Sequence, residues 1–351
     1  MKNRLLALSL VSVIGTAWAD PSPSGTPPKG PPVLYPFYKG KDAFTAKGGY
    51  IDASGKVVVE PFYAIAGEMS EGMAAVCTSD DKWGYIDAGG KVAIPTRLEG
   101  GSWTAAPSDR VFSEGMAVIS SQKKKGYIDR TGNVVIAAVF EDAHPFHDGL
   151  AQVKGEKGWG YIDKSGKVML ECRFKEAGPF SDGLAKVSDG GKPARWGYID
   201  RTGKVVIPME YEQATTFSEG LASVRKGGKS GFIDTKGTVV IDFKFDLVSS
   251  FSEGLAAFED AAAGGKHGFI DKSGTVVIKP QFNHCSSFSE GLAVAETTYR
   301  EVGFINPKGD WVIPASLGDK DPFKDGLAKW ERGSGRGYID KTGKVIFWLE
   351  E

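Results

Sequence analysis

The chain has 351 residues, of which 25% are charged, with 43 basic against 44 acidic side chains. That balance gives no electrostatic ground for nucleic acid or an anionic membrane surface as partner. Three cysteines, Cys77, Cys172 and Cys285, are an odd number in three different sequence contexts, so free, buried or partly buried thiols are expected rather than a disulfide framework.

Lys2 and Arg4 precede an apolar run from Leu5 to about Ile14, and Ala17-Trp18-Ala19 has the small-x-small pattern of a signal peptidase site. Residues 1–19 therefore read as a cleaved secretory signal, with the mature chain beginning near Asp20 and lying in the periplasm or outside the cell. The run is too short to span a bilayer, and no later stretch is long enough, so no membrane span is expected in the mature chain. Residues 20–36, "DPSPSGTPPKGPPVLYP", read as a flexible Pro/Gly/Ser-rich lead.

From residue 37 to 351 the sequence repeats. A marker glycine recurs at Gly49, Gly84, Gly126, Gly160, Gly197, Gly231, Gly268, Gly303 and Gly337, at steps of 34 to 42 residues. Around it the unit reads F-S-[ED]-G-L-A-x-V, a gap, W-G-[YF]-I-D-x-[ST]-G-K-V-V-I, then P-x-F. Length varies chiefly in the gap, as in "SDGGKPAR" after Val187 and "EDAAAGGK" after Phe258, with one further insertion, "EGGSWTAAPSD". Segments of fixed length read as packed and variable ones as solvent-facing hairpin tips.

Each unit predicts three short antiparallel strands, because β-branched and aromatic residues dominate and alternate residues point to opposite faces. The link D-x-[ST]-G-K predicts a type I turn closed by a left-handed glycine, with the Asp carboxylate accepting turn amides. Eight aspartates and Asn306 occupy that place, so a structural role outweighs a cation ladder. Alanines such as Ala151 and Ala185 are expected near the marker glycine across the strand pair, leaving a furrow for neighbouring aromatics.

The stretches "KWGYIDAGGKVAIP", "GWGYIDKSGKVML" and "RWGYIDRTGKVVIP" resemble the WG, or KWG, repeats of bacterial proteins. The resemblance covers about residues 37 to 348 and implies a repeat protein without a shared catalytic residue. In six of nine units the name-giving Trp is replaced, by Gly48, Lys125, Ser230, His267, Val302 and Arg336.

The fold class expected is all-β, nine three-stranded units in an open β-solenoid, with a β-propeller as the alternative. The open stack is favoured because 34 residues is short for a four-stranded blade. It is favoured also because "PFYKGKDAF" reads as a worn F-S-E-G-L-A-x-V that starts the count in phase, with Lys41 and Asp42 in place of Leu and Ala as a solvent-facing cap. His144 and His147 are the only local pair of ligand-type side chains, too few for zinc. No metal, cofactor or catalytic residue is expected. The candidate binding surface is aromatic, comprising Trp83, Trp103, Trp159 and Trp196. The function expected is an exported, non-catalytic scaffold for another envelope or extracellular protein. The alternative is a polysaccharide or cell-wall binder, and a distant third is a hydrolase on a propeller-like scaffold.

Overall fold

The computed structural model describes residues 32–40, 45–99, 110–298 and 301–350. Residues 1–19, expected to be a signal segment, most of the expected lead, the Lys41–Asp42 pair and the Trp103 insertion lie outside the described residues. Nine small antiparallel sheets follow one another along the chain, each built from consecutive strands. They span residues 35–63, 65–99, 116–140, 142–174, 176–211, 213–245, 247–282, 284–317 and 319–349, and are called blades one to nine. No helix in the described residues is long and apolar enough to cross a membrane.

Seven blades have four strands and two have three. The strand not anticipated precedes F-S-[ED]-G, as Glu176–Ser181 does in blade five. It fits into a 34-residue unit because it is short: in blades six to nine it is two residues long, as at Gln213–Ala214 and Leu247–Val248. A bridge such as Ser218 to Leu221 extends it.

Every seam between blades is a separate small core. In seven seams the Tyr or Phe of W-G-[YF]-I-D projects toward the next blade and meets its F-S-[ED]-G phenylalanine, with ring centres 4.8 Å apart for Tyr161–Phe180 and 4.9 Å for Tyr127–Phe146, while Tyr50 meets Met69 instead. The intervening Ala, Val and Ile of the next blade complete the cluster, as Ala185, Val187 and Ile199 do around Tyr161 and Phe180. Tyrosine adds a polar tie: Tyr161 Oη donates to Gly178 O at 2.7 Å and Tyr198 Oη to Thr215 O at 2.7 Å.

The ninth such cluster joins the two ends of the array, uniting Tyr35, Phe37 and Ile51 of blade one with Leu327 and Tyr338 of blade nine. Phe37 and Phe347 lie 4.9 Å apart, and Tyr338 Oη donates to Pro36 O at 2.6 Å. Tyr35 Oη donates to Asp325 O. Nine blades with nine seams form a closed ring, a β-propeller, and this corrects the expectation of an open solenoid. The first unit also starts earlier than its sequence suggests. Phe37 pairs with Gly49 and Tyr35 with Ile51, the places held by Val76 with Gly84 and Ala74 with Ile86 in blade two. "LYPF" is therefore the L-A-x-V strand: Tyr35 and Phe37 are buried against blade nine and Leu34 against blade two, so this flank is packed rather than capped. The ring closes by side-chain packing, with no blade shared between the two ends.

Candidate functional site

Strand direction assigns each loop to one of two faces of the ring. The F-S-[ED]-G turn and the D-x-[ST]-G turn both end upward-running strands, so they share a face. The hairpin tips between L-A-x-V and W-G-Y-I-D, and the links from one blade to the next, lie on the opposite face. All length variation falls on this second face: the tip around Gly190–Gly191, the 3-10 turn Ala261–Ala263, and residues Glu99 and Arg110 that flank the insertion.

The first face is constant and stitched. In the D-x-[ST]-G turn the predicted geometry is present: Asp163 Oδ1 accepts from Ser165 N at 2.9 Å, Ser165 Oγ at 2.6 Å and Lys167 N at 3.0 Å. The Ser165 hydroxyl is the leading cause that holds the Asp163 carboxyl below its ordinary range. The carboxylates are thus occupied by their own turns. In F-S-[ED]-G both central residues have positive φ, 55° at Glu219 and 85° at Gly220, a turn that favours Asn-Gly. Aspartate suits such a turn, as at Asp148, Asp182 and Asp325, but glutamate is a strained choice there. The structure shows what offsets the strain, a function for this residue beyond the turn role expected of it. Glu114 accepts from Gly149 N of the next blade at 3.1 Å, Asp182 from Gly220 N at 2.8 Å and Glu253 from Gly291 N at 2.9 Å. The next blade's D-x-[ST]-G turn adds a cation in places, with Lys164 3.0 Å from Glu114 and Lys341 2.9 Å from Glu290.

The marker glycine has a different duty from the furrow expected. It pairs with the Val of L-A-x-V, and the Ala pairs with Ile, as in Val153–Gly160 and Ala151–Ile162. A bulge in the outer strand crosses directly over it: a Cβ at position 160 would lie 2.5 Å from Leu170 O. Backbone, not aromatic rings, fills that space.

The four candidate tryptophans are not brought together. Trp83 is 3% exposed, packed in the seam between blades two and three with the Arg110 guanidinium 4.4 Å from its ring. Trp159 is half-buried and stacks on His144 at 5.0 Å. Trp103 lies outside the described residues. Trp196 is half-buried and borders a cavity of about 300 Å³ beside Ser223, Arg225 and Ser230. In blades one and eight, which lack Trp, neighbours take its volume. A Cβ at Gly48 would meet Ala66 and, at 3.2 Å, the Tyr38 ring, and Val302 shares a core with Trp330. Trp330 itself stands 5.0 Å from Trp348 above an open cleft near the tip of blade nine.

All three cysteines are free, with Cys77 and Cys285 buried and Cys172 half-buried. Burial, assisted by Asp81, pushes the Cys77 thiol up to about 12. Among the described residues no three His, Cys, Asp or Glu side chains gather in a way that could hold a metal ion.

Fold and faces together define a nine-bladed propeller made of near-identical units, one face constant and the other variable. The pattern of the WG containing repeat matches residues 49–83, 126–156, 159–192, 196–229, 231–260, 268–297 and 303–329. The chain belongs to the WG-containing repeat family. No curated protein matches its sequence. Among solved structures it is similar to the crystal structure of a eukaryotic initiation factor, with TM-score 0.62 and 12% identity over 87% of this chain and 93% of that one. At that identity the likeness concerns the fold alone. BamB from Moraxella catarrhalis aligns with TM-score 0.46 and 11% identity, over 80% of this chain and 94% of that one.

Proposed function

We propose that this chain is an exported, non-catalytic scaffold that binds another protein of the cell envelope or the extracellular space through the variable face of the ring. The observation that carries this reading is the segregation of loops. Every tip whose length changes from unit to unit lies on one face, while the other is tied by repeated carboxylate-to-amide contacts. A rigid scaffold with adaptable loops on one side is the usual arrangement of a recognition surface. The reading assigns no reacting group, since the repeated aspartates are consumed by turn hydrogen bonds. Export rests on the signal read in residues 1–19.

The test is in-cell crosslinking and mass spectrometry on the mature protein, whose first residue should fall near Asp20. Replacing the 189–195 tip by a two-residue turn, or shortening 260–265, is expected to abolish a specific crosslinked partner. Lys341→Ala on the constant face is expected to retain it. Equal loss from both faces, or no partner at all, would overturn the proposal.

A further inference from the structure

Blade six differs from the two blades before it at one position, and blade seven after it carries His267 there. Blades four and five carry Trp159 and Trp196 beside the marker glycine, whereas blade six carries Ser230. Phe258 of blade seven, against Phe245 at 5.1 Å, fills part of the missing indole's volume. The rest remains as the cavity of about 300 Å³ between the Trp196 ring and the Leu247–Val248 strand of blade seven. That is the lower end of the range for small-molecule sites, roughly 300–1,000 Å³.

Its wall is half apolar and half hydrogen-bonding. Trp196, Leu247 and Val248 supply the apolar part, and Gln213, Ser223, Ser230 and Arg225 the polar part. Ser223 and Ser230 are buried, and the Ser230 hydroxyl donates to Asp246 O at 3.5 Å, which leaves its oxygen free to accept. The cations nearby are already engaged. Arg225 donates to Asp246 O at 3.2 Å and lies 3.9 Å from Glu212, and Lys186 donates to Ala214 O at 3.2 Å. The cavity therefore offers hydrogen bonds and a ring face more than uncompensated charge, which suits a neutral polyol with one apolar side better than an anion.

We infer that the cavity between Trp196 and Ser230 is a binding site for a neutral sugar ring, a single site on blade six rather than a property of every repeat. The sugar's C–H face would lie on Trp196 and its hydroxyls would reach Gln213, Ser223, Ser230 and Arg225. The site adjoins the variable face, because Arg225 and Ser230 pair directly before the hairpin tip Lys226–Lys229. It does not depend on the protein partner proposed above.

The test uses the full mature protein in saturation-transfer NMR and calorimetry with glucose, N-acetylglucosamine, maltose and chitobiose. Saturable binding of at least one is expected. Ser230→Trp introduces the side chain that blades four and five use; it competes with Phe258 for part of its space and obstructs the cavity with the rest, so it should weaken binding at least tenfold, at some cost to the thermal midpoint. Trp196→Leu, which keeps an apolar side chain, should weaken it similarly. The inference is overturned if none of the four sugars binds, or if Ser230→Trp binds as the unaltered protein does. Should Ser230→Trp fail to fold, Gln213→Ala and Ser223→Ala decide instead, and unchanged binding in both would overturn it.

Discussion

The most constrained residue of each unit is the marker glycine, for a reason that is local and steric. At Gly160 the crossing carbonyl of Leu170 leaves no room for a methyl group. An exposed Gly→Ala change at a compatible site stabilises by reducing unfolded-state entropy; here the clash dominates. Gly160→Ala is expected to cost about 1–3 kcal/mol in urea unfolding, as overpacking generally does. An unchanged or raised midpoint would show that the bulge can move aside. The periodic glycine was plain in the sequence, but its cause was not. The bulge that requires it belongs to another strand, and bulges leave little trace in residue patterns. The turn aspartates were legible because their hydrogen bonds run to residues two and four positions ahead.

At the scale of elements, the acidic residue of F-S-[ED]-G links consecutive blades, a contact between turns some 35 residues apart that no local pattern displays. Glu114→Ala removes the acceptor for Gly149 N and the partner of Lys164, and should lower stability by about 1 kcal/mol. Both side chains keep solvent contact, so their mutual coupling in a double-mutant cycle with Lys164→Ala should be on the order of 0.5 kcal/mol. A coupling of zero would assign the whole effect to the amide. Three of the four strands were readable from alternation and turn chemistry. The fourth, such as Glu176–Ser181, was hidden because it is short and broken by a register shift near Gly178 and Pro179. The fixed spacing from V-V-I to the next Phe, broken only by the insertion after Glu99, did signal that the segment was packed. Trp83, by contrast, could not be told from a binding residue in sequence, since a buried and an exposed indole look alike there.

At the scale of the whole molecule, the ring is closed by contacts that span almost its entire sequence. Glu68 of blade two reaches past blade one to Lys324 and Lys329 of blade nine, at 2.7 Å each. Side chains can bridge blades two places apart only toward the axis, so this trio marks the inner edge of the closing seam. Crowding by the surrounding strands alone would raise the Glu68 carboxyl, but Lys329 and Lys324 hold it down, from 4.5 to about 2. A depressed folded value means the stabilisation is fully present above about pH 4.5 and is lost as pH falls toward 2. Glu68→Gln should therefore be less stable than the unaltered protein by about 1 kcal/mol at pH 7, the figure kept low because Glu68 remains in contact with solvent. The difference should shrink below pH 4.5 and vanish near pH 2. A pH-independent difference would mean that shape, not charge, holds the trio. Closure itself was not legible in the sequence. An open stack and a ring use the same repeat, and the side chains that decide between them, Tyr35, Phe37 and Phe347, sit in the two least regular units.

That seam also sets a timetable for the nascent chain. Eight of the nine cores can form as soon as each successive blade is made, because they join neighbours in sequence. The ninth cannot: Tyr35, Phe37 and Ile51 are among the first folded residues to be synthesised, yet their cover, Phe347 and Leu349, is among the last. Until blade nine is made, blade one carries an uncovered apolar flank that invites association with another copy. A chain cut short after residue 318 would keep that flank uncovered permanently and expose the facing side of blade eight as well. In such a ring, quality control falls on blade nine, whose loss leaves two apolar flanks open to association.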